Sequence, residues 1–88
     1  MTFISGQRIA MIGGAVPATI PPLSAKVVLY SEAPEGEPIR FAINETADAS
    51  SPGILPSYAP LILTIQNLIG LSFYGSIGTA VGIHYFSI

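Results

Sequence analysis

Eight prolines, Pro17, Pro21, Pro22, Pro34, Pro38, Pro52, Pro56 and Pro60, cut the first two thirds of the chain into pieces too short for an ordinary helix. Each lacks the amide proton that a helix interior or a central strand needs, and its ring clashes with the preceding helical turn. Between the prolines lie short runs rich in β-branched and aromatic residues, so the chain is expected to be all-β. Strands are predicted over 8–12, 15–20, 25–31, 38–44, 61–66, 71–75 and 80–86. The second is placed at a sheet edge, because Pro17 can donate nothing to a ladder.

Alternation assigns faces. In AKVVLYS, Ala25, Val27 and Leu29 share one side, leaving Lys26, Val28 and Tyr30 on the other. In PIRFAIN, Ile39, Phe41 and Ile43 point inward while Arg40, Ala42 and Asn44 point outward. Leu61, Leu63 and Ile65 are set against Ile62, Thr64 and Gln66, and Val81, Ile83 and Tyr85 against Gly82, His84 and Phe86. The polar run EAPEGEP is read as a hairpin turn joining two strands, and Ser76 to Thr79 as the turn of a closing hairpin. The expected fold is a compact antiparallel β-sandwich or jelly-roll-like arrangement of six or seven short strands. It forms a single β domain over 1–88, with an extended N-terminal arm at 1–7 and a long loop at 45–60.

At 88 residues with no cysteine, the chain has neither the bulk nor the disulfides that usually secure a small domain, which makes association with neighbours the expected support. Only 9% of residues are charged, and no Asp, Glu, Lys or Arg follows Asp48, so the surface must be largely apolar or neutral. Three cations, Arg8, Lys26 and Arg40, are too few to drive nucleic-acid binding. Residues 60–83 are long enough for a membrane span, the competing reading of this stretch. Gln66 and Asn67, the recurring glycines and the lack of flanking cations favour strands, so no membrane association is expected.

No constellation for catalysis emerges, and the chain is expected not to be an enzyme. His84, the single histidine, lies on a strand among apolar neighbours with no partner supplied by spacing. One histidine and scattered acids do not make a zinc site, and the acids Glu32, Glu35 and Glu37 suit a wet turn better than a calcium loop. Gly13-Gly14 and Gly75, Gly78 and Gly82 are not followed by helices and cradle no phosphate. No cofactor, metal, catalytic residue or small-molecule substrate is assigned. What remains is surface. Val28, Tyr30, Ile62, Tyr74 and Phe86 lie opposite the expected core, Phe3 and Ile4 sit on the predicted arm, and Ile54, Leu55 and Tyr58 pin the long loop. These ten are the candidate interface residues.

The succession ATIPPLSAKVVLYS, EGEPIRFAINETADASSPGILPSYAPLILTIQNL and LSFYGSIGTAVGIHYF resembles small β-sandwich proteins of tailed-phage virions over residues 18–86. The resemblance rests on pattern and spacing. It implies a capsid decoration, or cement, protein that binds the outer capsid surface as a trimer and clamps neighbouring major capsid subunits. A head- or tail-fibre module binding carbohydrate or a receptor is the alternative, and a small membrane protein with one C-terminal span is a second. Related modules carry a glycine turn where this chain has Asn44-Glu45, so no ligand site is transferred to that loop.

Overall fold

The computed structural model describes residues 2–87. They form eight strands: β1 (Thr2–Ala10), β2 (Ala15–Pro17), β3 (Lys26–Glu32), β4 (Arg40–Ile43), β5 (Gly53–Ile54), β6 (Pro60–Thr64), β7 (Leu71–Tyr74) and β8 (Ala80–Ser87). Two four-stranded antiparallel sheets result, with orders β1-β8-β3-β6 and β2-β7-β4-β5. The pairs 1–8, 2–7, 3–6 and 4–5 are nested one inside the other. This is the connectivity of an eight-stranded jelly roll, a long ribbon folded back on itself and wrapped so that its strands alternate between two layers.

The core lies between the layers and follows the alternation. Val27 and Leu29 of β3, Val81, Ile83 and Tyr85 of β8, and Leu71 and Phe73 of β7 are buried, joined by Ile39, Met11 and Leu55. Phe41 and Ile43 pack against this cluster, and the cross-strand pairs Phe41↔Phe73 and Ile43↔Leu71 fix their register. Ala42, assigned outward, is nevertheless buried, because the chain returns across the back of its sheet. Pro17 does lie on an edge strand, where its missing amide costs nothing.

Three expectations are corrected. Residues 2–7 are no free arm: they belong to β1, paired with β8 from Thr2↔Ser87 onward, and Met1 lies outside the described residues. EAPEGEP does not close a hairpin, since β3 and β4 belong to different sheets. The same holds for the 76–79 turn between β7 and β8. These segments are arches crossing the edge of the sandwich, and only β4–β5 is joined to its immediate successor by pairing. Gly75 sits in one such arch, where an added Cβ would meet Met11 Cγ at 2.9 Å and Ile39 Cγ1 at 3.0 Å, so a side chain there would wedge the layers apart. Finally, the 45–60 segment is not one loop but carries β5 and, at Ser57, a parallel bridge to Ser31.

Candidate functional site: an uncovered sheet face

The two sheets treat their outer faces differently. Behind β2-β7-β4-β5, residues 45–51 lie flat across the sheet. The Ala47 amide donates to Ser72 Oγ at 2.6 Å, and that hydroxyl donates to the Glu45 carbonyl at 2.9 Å. Arg40 reaches the Ser51 carbonyl at 2.7 Å, and Ala47 and Ser51 are buried with Ala42 and Ser72 beneath them. Within the segment Asp48 closes a tight turn: its carboxylate accepts the Ser50 amide at 2.8 Å and the Ser50 hydroxyl at 2.9 Å. These bonds, the amide first, hold the Asp48 carboxyl below its ordinary value. Asn44 fixes the entry. At φ 56°, its side chain donates to the Asn67 carbonyl and accepts from the Ile69 and Gly70 amides, each at 2.9 Å.

Among the described residues, nothing comparable lies over β1-β8-β3-β6. The register places outward side chains in cross-strand rows: Phe3, Phe86, Lys26 and Thr64; Gly6, His84, Val28 and Ile62; Arg8, Gly82, Tyr30 and Pro60. Phe3 meets Phe86 edge-on with ring centroids 5.5 Å apart, and lies 6.0 Å from the His84 ring. Gly6 makes room for that imidazole, since a Cβ at this position would come within 2.8 Å of His84 Cδ2. One charged pair marks the margin, with Arg8 Nε 2.7 Å from Glu32 Oε2, both side chains well exposed. The middle row carries no Asp, Glu, Lys or Arg, and the rows beside it carry one cation each, Lys26 and Arg8; between these cations Phe3, Tyr30 and Ile62, at 55%, 40% and 57% exposure, form an apolar sheet face open to solvent.

Five of the candidate interface residues, Phe3, Val28, Tyr30, Ile62 and Phe86, therefore come together on one surface. The others do not. Ile4 turns inward, because the register shift between Phe3 and Ser5 puts it against the core. Leu55 is only 2% exposed and belongs to the core, its amide bonded to the Ile39 carbonyl, so it is withdrawn as an interface residue. Ile54 and Tyr58 are exposed along the β5–β6 connection, with Tyr58 at φ 53° and its amide donated to the Ser31 carbonyl. Tyr74 lies on the outer side of the opposite sheet, beside Arg40.

Sequence reasoning passed over Ile12, Leu23, Ile69 and Ile77, which are more than half exposed on the connections at the two ends of the sandwich. Each is an apolar residue directly beside a turn glycine or proline, a pattern that alternation alone does not assign to the surface. Residues 60–83, weighed above as a membrane span, form β6, β7 and half of β8; no helix among the described residues is long and apolar enough to cross a membrane. No family model matches the chain, and neither the curated proteins nor the solved structures contain a significant match.

Proposed function

We propose that the chain is a structural virion protein that decorates and cements a phage capsid. In this reading it sits on the outer capsid surface as a trimer and binds major capsid subunits through the outer face of β1-β8-β3-β6. The observation that carries the reading is the contrast between the two layers: one sheet is roofed by residues 45–51, while the other presents Phe3, Tyr30 and Ile62 to solvent with Val28 and Phe86 half-buried between them. A small protein leaves such a face bare at a cost in solubility unless a partner covers it. The low charge agrees, since many copies packed side by side on a shell would repel one another if each carried a strong field. The jelly-roll connectivity is one that capsid proteins use, although lectins use it too.

The test combines mass by light scattering with cosedimentation on expanded phage capsids. The wild-type chain should run as a trimer and pellet with capsids to saturation, and Ile62→Glu should abolish pelleting without lowering the melting temperature. A stable monomer that stays in the supernatant would overturn the proposal.

A further inference from the structure

At the Arg40–Tyr74 row the roof formed by residues 45–51 ends against a cleft of about 300 Å³, with Ala49 on its rim and Ser51 bonded to Arg40. Its floor is the paired Arg40 and Tyr74. Its walls are Ala49 from the roof, Gly36, Glu37 and Pro38 from the β3–β4 arch, and Gly13, Gly75 and Ser76 from the neighbouring arches. The volume is at the lower end for ligand pockets and accommodates one ring with its substituents.

Arg40 is the telling group. Its Nη1 donates to the Ser51 carbonyl at 2.7 Å, which anchors the guanidinium to the roof, while among the described residues no carboxylate lies within ion-pair distance of it. A half-buried guanidinium with donors to spare is suited to a planar, two-oxygen anion. The remaining polar groups do not suit phosphate. Glu37 can only accept hydrogen bonds when ionised, and Tyr74 and Ser76 offer hydroxyls that donate and accept. A ligand presenting a carboxylate to Arg40 and hydroxyls to Glu37, Tyr74 and Ser76 satisfies all four, with three glycines keeping the walls low enough for a ring to enter. We propose that this cleft binds a saccharide carrying a carboxylate, a uronic or sialic acid residue. The site lies on the opposite layer from the uncovered sheet face, so both could be occupied at once.

The experiment is a ¹H–¹⁵N NMR titration of the full chain with glucuronate, N-acetylneuraminate, glucose and acetate. One of the sugar acids should shift the amides of Gly13, Gly36 and Gly75 and bind about tenfold or more tightly than glucose or acetate, as expected for a charge-assisted pair combined with hydroxyl contacts. Arg40→Gln should cost about tenfold in affinity. Because that variant also releases Ser51, Glu37→Gln and Tyr74→Phe supply a second test, and each should weaken the sugar acid severalfold while leaving acetate unaffected. The proposal fails if neither sugar acid shifts the cleft amides, if glucose binds as tightly, or if binding is indifferent to both Glu37→Gln and Tyr74→Phe.

Discussion

Replacing Ser72 by alanine removes one oxygen and should release the roof over β2-β7-β4-β5. The Ala47 amide, in a residue only 1% exposed, would lose its acceptor at 2.6 Å with no water able to replace it unless the segment lifts. A buried donor left unsatisfied costs about 1 to 3 kcal/mol, and the lost bond to the exposed Glu45 carbonyl adds roughly 0.5 kcal/mol. The sum, about 1.5 to 3.5 kcal/mol, is a large share of the ~4 to 13 kcal/mol expected for a domain of this size. Urea denaturation should show it directly: with a slope of about 1 to 2 kcal/mol/M for a small domain, the midpoint should fall by on the order of 1 to 3 M. Hydrogen exchange localises the effect. The Ala47 amide should lose protection in Ser72→Ala while the Phe73 amide, in the β2–β7 ladder, keeps most of its own. An unchanged midpoint together with a still-protected Ala47 amide would refute the argument that this hydroxyl holds the roof in place.

Other perturbations have equally definite signs. Asn44→Ala should destabilise by about 2 kcal/mol in thermal melts, since it forfeits three side-chain bonds and leaves a Cβ residue at φ 56° without local compensation; Asn44→Asp, which keeps the acceptor, should lose less. Ser31→Ala should stabilise by up to about 1 kcal/mol, raising the melting temperature by roughly 4 to 8 °C, because the buried Ser31 hydroxyl has no hydrogen-bond partner among the described residues. Burial pushes the Tyr85 hydroxyl up to about 12, so an ultraviolet titration should show a tyrosine ionising well above the ordinary value of 10. The unfolded chain ionises this group near 10, so the stability it contributes is intact below pH 10 and declines as pH rises from 10 towards 12. A Tyr85 that ionises at the ordinary value of 10 in the folded protein would contradict its burial.

Alternation made much of the core legible. Val27, Leu29, Val81, Ile83 and Tyr85 were assigned inward from a period of two, and each is fully buried. The connections were not legible, for a physical reason: a turn sequence such as EAPEGEP reports that the chain reverses, not whether it returns beside the same strand or on the facing layer. The hairpin assumption therefore failed at β3–β4 and β7–β8, where the chain crosses to the other sheet. Residues 2–7 were read as an arm because Gly6 and Gln7 break the apolar pattern. Gly6 instead clears space for His84, and Gln7 turns inward to the Thr19 carbonyl and the Tyr85 hydroxyl, requirements set by residues far along the chain. The shared surface was half legible. Second-face apolar residues could be named, but which sheet would be roofed depended on Ser72 and Ala47, a pairing across 25 positions that no local pattern announces. Leu55 was lost to the core for the same reason, its place set by the Ile39 carbonyl.

The nested pairing has a kinetic consequence. Only β4 and β5 can meet through a short loop; β3–β6, β2–β7 and β1–β8 each enclose the pair before, and the outermost joins Thr2 to Ser87 across 85 positions. Closing that span directly in an unfolded chain is entropically the most expensive step, but each inner pair shortens the free segment left to close. Assembly from the middle outwards is the low-barrier order, and with so little local pairing it should take milliseconds to seconds rather than microseconds. The ends are then the last to arrive. Phe3 and Phe86, which sit on opposite members of that outermost pair, meet only when the entire ribbon has wrapped, so the open face is finished at the moment the molecule is.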